Sequence, residues 1–235
     1  MKEKIAAIIP CFNVAPFYEC EKVLEGTLHY VDQIILIDDG SFDGTEKLLD
    51  RFADKHKEKV HLIRFPENRG KGFALLAGMQ YAAEEQKADI LVTMDGDGQH
   101  LPLEIPKLAD KVKEGADFVV GERKFYKMPF YSKTANIIIT TLLRFAFFRA
   151  PIIDTQSGFR AFSLAFAQEI MRKVPGGRYE MEFLCLLLAL QQKRKIASCN
   201  IPTIYINKNR GSHFRKIGDS LRILKTLFAY LVRKT

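Results

Sequence analysis

The sequence predicts an α/β fold built on an open, mostly parallel sheet flanked by helices, and three observations carry the prediction. Apolar runs such as Ile5-Ala6-Ala7-Ile8-Ile9-Pro10 and Gln33-Ile34-Ile35-Leu36-Ile37-Asp38 show no polar alternation, as strands buried on both faces require. Segments of helical period separate the runs, so each strand is followed by a crossover helix. Polar and glycine-rich clusters fall at the C-terminal ends of the runs, where open α/β sheets bind their ligands.

In chain order, the first run exits through Pro10-Cys11-Phe12-Asn13, and a helical segment leads to the second. Gly44 to Lys57 reads as a helix with Leu48, Leu49, Phe52 and Ala53 on one face. Val60 to Phe65 is a third strand, Gly72 to Glu85 a second helix, and Asp89 to Met94 a fourth strand. Asp117 to Arg123 reads as a further strand with a charged tip. Ser132 to Phe148 is a helix apolar nearly all round, so it is either core or inserted in a lipid interface. Asp154 to Phe162 is a polar loop entering a short strand, and Tyr179-Glu180-Met181-Glu182-Phe183 precedes an apolar helix ending near Gln192. Ile201 to Ile206 reads as a late strand, residues 207–216 as a basic loop, and Gly218 to Arg233 as an amphipathic helix carrying Leu221, Leu224, Phe228 and Leu231.

Composition narrows the setting. At 235 residues and 47% hydrophobic content the chain can bury a full core, and one domain is expected. The net charge of +8 fits nucleic acid, an anionic membrane or a phosphorylated ligand, and charge alone does not choose. Cys11, Cys20, Cys185 and Cys199 form no CxxC pair, and the first residues lack a signal peptide's apolar segment, so reduced thiols in the cytosol are expected. The longest apolar stretches, Ile137 to Leu143 and Phe183 to Leu190, are shorter than the roughly 20 residues of a spanning helix, so the chain is expected to touch a membrane without crossing it.

The chemistry gathers at strand ends. In Val92-Thr93-Met94-Asp95-Gly96-Asp97-Gly98-Gln99-His100 an apolar run stops in two carboxylates, glycines and an amide. That is either a strand-ending turn or a site for a hard cation such as Mg²⁺ or Mn²⁺. Asp38-Asp39-Gly40-Ser41, followed by Asp43-Gly44-Thr45, supplies a helix cap; capping leaves Asp38 and Asp39 unexplained, and hydrogen bonding to a base or ribose would use them. Asn68-Arg69-Gly70-Lys71-Gly72 is either a simple turn or an anion site made of free helix N–H groups beside Lys71. Together these clusters suit a nucleotide diphosphate and its metal.

With Asp154-Thr155-Gln156-Ser157-Gly158-Phe159-Arg160-Ala161, these motifs resemble the family 2 glycosyltransferases of GT-A fold, in the branch similar to dolichyl-phosphate mannose synthase and bacterial polyprenyl-phosphate glycosyltransferases. The likeness runs from about Ile5 to the C-terminal helix, with one departure: Val14 follows Asn13 where many members carry Glu. The resemblance implies a mixed, mostly parallel GT-A sheet. Residues 1–122 would form the nucleotide-sugar half, 123–217 the acceptor half and 218–235 the amphipathic helix. It implies donor contacts from Pro10, Asn13, Asp38, Asp39, Lys71, Asp95 and Gly96, with Arg210, Ser212 and His213 of the basic loop closing over the diphosphate. Asp97 and Gln99 would ligate Mg²⁺ or Mn²⁺. Arg123, Lys133 and Ser157 would face the acceptor phosphate, and Asp95, Asp97 and Arg123 would carry catalysis.

The activity that the resemblance implies is that of an inverting hexosyltransferase moving sugar from a GDP-mannose or UDP-glucose type donor to a polyprenyl phosphate. Such an enzyme would be peripheral on the cytoplasmic face of a membrane, with no nucleic-acid partner. A phosphate acceptor is already anionic, so Glu180 and Glu182 read as helix-start residues favoured by the dipole. Transfer to a glycan or other hydroxyl is the alternative within the enzyme class, and would need one of them as a base. A non-catalytic sugar-nucleotide binding protein at the membrane is the alternative outside it.

Overall fold

The computed structural model describes residues 2–15, 19–124, 130–147 and 154–204, together with positions 218, 222, 223, 225 and 226. Along the chain run β1 (Ile5–Cys11), α1 (Glu19–Thr27), β2 (Gln33–Asp38), α2 (Thr45–Lys55), β3 (Val60–Arg64), α3 (Lys71–Glu84) and β4 (Ile90–Thr93). A single 3-10 turn at Pro102–Glu104 then leads into α4 (Ile105–Lys113), β5 (Phe118–Arg123), α5 (Phe130–Ala146), β6 (Arg160–Ser163), α6 (Leu164–Lys173), α7 (Glu180–Gln191) and β7 (Ile196–Ile201).

The strands form one seven-stranded sheet in the order β3-β2-β1-β4-β6-β5-β7. β6 is antiparallel to both β4 and β5, and every other pairing is parallel. The mixed, mostly parallel sheet is the architecture expected. The reversal of β6 has a functional consequence. Its first residue, Arg160, pairs with Thr93 at the carboxyl end of β4, so the loop before β6 arrives at the same sheet edge as the loops after β1, β2 and β4.

Both faces of the sheet are covered. On one, Ala6, Ile8, Ile35 and Ile37 pack with Leu75 and Met79 of α3, Phe166 and Ile170 of α6, and Leu186 of α7. On the other, Ala7, Ile9, Ile34 and Leu36 pack with Leu24 of α1, Phe52 of α2 and Leu108 of α4. A side chain at Gly78 of α3 would place a Cβ 2.5 Å from Ile8 Cγ2 and 2.7 Å from Ile37 Cδ1, so bare backbone lets α3 lie directly on β1 and β2.

The last strand differs from the expectation. β7 occupies Ile196–Ile201, where the expected strand only begins. Among the described residues it is an outer strand paired to β5 alone, half-exposed and partly polar, and Pro202, which has no N–H to give the ladder, follows its end. Residues 205 and 206 of the expected strand lie outside the described residues.

One face of α5 belongs to the core and the opposite face is exposed. Asn136, Ile139, Thr140 and Leu143 are buried, whereas Ile137 and Ile138 are about half exposed and Phe145 is 92% exposed. Among the described residues no helix is long and apolar enough to cross a membrane. The C-terminal helix expected from Gly218 to Arg233 falls mostly outside the described residues; within it, Ile223 is buried in the same core cluster as Ile139 and Leu143.

Candidate active site

The turn after β4 is closed from within. His100 Nδ1 accepts a hydrogen bond from the Asp95 backbone N–H at 2.9 Å, and its ring packs tilted against Phe159 with centroids 5.0 Å apart. Burial pushes the imidazole down to about 4, so at neutral pH it is uncharged, with its proton on Nε2. The Asp97 carboxylate accepts from the Gln99 backbone N–H (3.0 Å) and from Gln99 Nε2 (2.6 Å). Burial first, and the neighbouring Asp95 charge second, push Asp97 up to about 6.

Asp95 goes the other way. Burial works to raise it, but the Lys71 ammonium, 2.6 Å from Oδ1, holds it at about 2. Lys71 in turn is raised well above its ordinary value: burial opposes its charge, and the charges of Asp95 and Glu182 outweigh burial. Glu182 Oε2 lies 3.2 Å from the same ammonium. The residue lies in the first turn of α7, at the helix start as expected, but it is buried and paired with Lys71.

The loop after β3 departs from the expectation: the N–H groups of Gly70, Gly72 and Phe73 are not free for an anion. Gly70 N–H donates to Asp39 Oδ2 at 2.9 Å, and Gly72 and Phe73 N–H donate to the Gly177 carbonyl at 2.9 and 3.3 Å. Asp39 also accepts from the Arg69 N–H (2.7 Å) and Asn68 Nδ2 (3.1 Å), so its carboxylate shapes this loop while lining the cavity; burial holds it above the ordinary carboxylate range. Asp38 is fully buried, bound by Arg64 Nε and the Ser41 N–H at 2.9 Å each, and does not line the cavity. Asn13, with φ of 50°, accepts from the Phe42 N–H and donates its own N–H to Ser41 Oγ, tying the exits of β1 and β2 together.

These loops surround one cavity at the carboxyl edge of the sheet, with Pro10 and Cys11 from β1, Asp39, Asn68 and Lys71, then Asp95, Gly96 and Asp97. Arg178 and Tyr179 complete its wall. Neither was expected there from the sequence; the signal was an arginine and a tyrosine directly after the Gly176-Gly177 turn. Glu182 was legible too, since a carboxylate in the first turn of a helix apolar on every side has little choice but burial.

At the tip of β5, Arg123 binds Asp154 through Nε to Oδ2 (2.7 Å) and Nη2 to Oδ1 (3.1 Å). Asn136 of α5 donates to Asp154 Oδ1 at 2.6 Å and accepts from the Thr155 N–H and hydroxyl. Burial raises the Asp154 carboxyl, but Arg123 and these hydrogen bonds outweigh it and hold it below its ordinary range. Arg160 is a brace, fully buried and donating to the carbonyls of Thr155, Ser157 and Glu182. Ser157 is buried and its Oγ makes no hydrogen bond among the described residues. Lys133 is half-buried on the first turn of α5. Arg210, Ser212 and His213 lie outside the described residues.

The sequence model of Glycosyl transferase family 2 matches residues 6–172. Over 219 residues the chain is 32% identical to a UDP-N-acetylglucosamine--dolichyl-phosphate N-acetylglucosaminyltransferase from Methanococcus voltae, covering 83% of this chain and 85% of that one. It is 30% identical to a polyprenol monophosphomannose synthase from Mycolicibacterium smegmatis, over 80% of this chain and 71% of that one. The fold is also that of glucosyl-3-phosphoglycerate synthase from Mycobacterium tuberculosis, solved with Mn²⁺, uridine diphosphate and glucosyl-3-phosphoglycerate, with a TM-score of 0.70 at 22% identity over 97% of this chain and 79% of that one. The family model spans most of the chain, and relatives at 30% identity or more and the shared fold agree with it: this chain is a member of glycosyltransferase family 2.

Proposed function

We propose that this enzyme transfers a hexose from a nucleotide diphosphate sugar to a polyprenyl phosphate with inversion at the anomeric carbon. The observation that carries the reading is the Lys71–Asp95 pair beside Asp97 on the wall of the strand-end cavity: it brings a partly buried cation and two carboxylates to one edge of the cavity. Relatives at 30% identity or more whose names specify polyprenyl-phosphate acceptors support the choice of acceptor. Residues 1–122 would serve the donor and residues 123–217 the acceptor.

Asp97 and Gln99 would hold a divalent cation, with Asp95 adjacent. They fit a hard cation, because the burial and the Asp95 charge that push Asp97 up to about 6 are the penalty a positive ion removes. Bound there, Mg²⁺ or Mn²⁺ would neutralise the diphosphate of the donor. The chain's own part is positional and electrostatic. Lys71 and Arg178 bring positive charge to the cavity wall, where charge develops as the bond from the anomeric carbon to the diphosphate breaks. The acceptor's phosphate oxygen forms the new bond, and the diphosphate leaves with the electron pair. Arg123 and Lys133, at the start of the acceptor half, would steer the acceptor phosphate, and Ser157 Oγ offers a buried, unpaired hydroxyl nearby. Donor contacts from Pro10, Asn13, Asp39, Arg210 and Ser212 belong to the same proposal.

Peripheral attachment to the cytoplasmic face of a membrane completes the reading, supported by the outward apolar face of α5. One observation favours a hydroxyl acceptor instead: Glu182 Oε1 is buried without a hydrogen bond close to Asp95 and Gly158, and could serve as a base. Incubation with UDP- and GDP-hexoses and a short polyprenyl phosphate, reading lipid-linked sugar, tests the proposal.

A further inference from the structure

Lys71 is enclosed from three directions. Asp95 Oδ1 lies 2.6 Å from its ammonium on the cavity side, and Glu182 Oε2 lies 3.2 Å away from the α7 side. Gly158 closes the third, where a Cβ would come within 2.8 Å of Lys71 Nζ, 3.0 Å of Glu182 Oε1 and 3.1 Å of Asp95 Oδ2. The enclosing backbones are themselves fixed. Arg160 donates to the Glu182 carbonyl, Thr93 Oγ1 donates to the Gly158 carbonyl at 3.0 Å, and the N-terminus of α3 is held by Gly177.

Two carboxylates share one ammonium, yet only Asp95 and Lys71 line the cavity, whereas Glu182 sits behind them. An anionic ligand entering the cavity competes with Asp95 for Lys71 and meets no such competition from Glu182. We infer that Glu182 is a positioning residue: it anchors the Lys71 ammonium at the cavity wall, so that Lys71 can turn an N–H from Asp95 to the phosphates of a nucleoside diphosphate without losing its counter-charge. The inference rests on the donor reading of this cavity and assigns Glu182 to the donor side, acting through Lys71, and not to a hydroxyl acceptor.

The test is calorimetric titration of UDP and GDP, with Mn²⁺ present, into wild-type protein, Glu182→Gln, Glu182→Asp, Lys71→Met and the Lys71→Met/Glu182→Gln double variant. Glu182→Gln is expected to weaken nucleoside diphosphate binding by about tenfold or more, as loss of a charged hydrogen-bond partner does. Glu182→Asp is expected to recover part of that loss. With Lys71 gone, removing the carboxylate is expected to change affinity no further, because the two act as one unit. The comparison of Lys71→Met with the double variant stands even where Glu182→Gln alone folds poorly, since the double variant removes both charges together. Unchanged affinity in Glu182→Gln, or a further tenfold loss on adding it to Lys71→Met, would overturn the inference alone. Wild-type protein that binds neither nucleotide would overturn the donor reading and this inference with it.

Discussion

Arg123 and Asp154 form a two-point ion pair, Nε to Oδ2 at 2.7 Å and Nη2 to Oδ1 at 3.1 Å, with the carboxylate fully buried and also bound by Asn136 of α5. A pair placed this way costs little while intact and much when halved. Arg123→Ala is therefore expected to lower unfolding stability by about 3–5 kcal/mol, and Arg123→Met with Asp154→Asn by clearly less. Denaturant titration of the single and double variants measures both. Poor acceptor use by Arg123→Ala has to be judged against that loss of stability.

The same carboxyl sets an acid limit. Asp154 is held below its ordinary value in the fold, so its contribution is fully present above the unfolded value of about 3.9 and is lost as pH falls through the lower folded value. The stability difference between wild type and Asp154→Asn is expected to be constant from neutral pH to about 5 and to shrink below about 4. A difference that grows on acidification would contradict the pairing.

Asp97 has the opposite sign. Its folded carboxyl is raised to about 6, so without a cation its charge works against the fold above that pH. In excess chelator at neutral pH, Asp97→Asn is expected to match or exceed wild-type melting temperature, yet to lose metal-dependent nucleotide binding. Nucleotide binding and sugar transfer undiminished by chelator would remove the metal from the proposal.

The outer face of α5 separates membrane contact from core packing. Phe145 is 92% exposed, so Phe145→Ser is expected to change stability by under about 0.5 kcal/mol while weakening partition to anionic liposomes. Rising salt is expected to weaken partition further, since screened charge contributes. Equal partition of wild type and Ile138→Ser/Phe145→Ser at low salt would assign that face another role.

The sheet was legible where strands are buried on both faces. Ile5 to Pro10 and Gln33 to Asp38 carry nothing polar before their ends, apart from Gln33 at the entry of the second, and β1 and β2 lie where those runs do. β7 was misplaced because an outer strand paired on one side can read as polar, as Ile196-Ala197-Ser198-Cys199-Asn200-Ile201 does. At the site, spacing located Asp95, Asp97, Asp39 and Lys71 at strand ends but could not say how each is paired. That Asp39 shapes the Asn68–Gly70 loop, that Gly177 satisfies the start of α3, and that Glu182 meets Lys71 are contacts between segments far apart in sequence, set by the antiparallel entry of β6 and the packing of α7 on α3.

The most direct measurement is transfer itself. Purified protein, Mg²⁺ or Mn²⁺, a panel of UDP- and GDP-hexoses and a short polyprenyl phosphate are expected to yield a lipid-linked sugar and one nucleoside diphosphate per sugar transferred, with the anomeric configuration inverted. No lipid-linked product from any donor, together with transfer of the same sugar to a glycan hydroxyl, would contradict the polyprenyl-phosphate assignment.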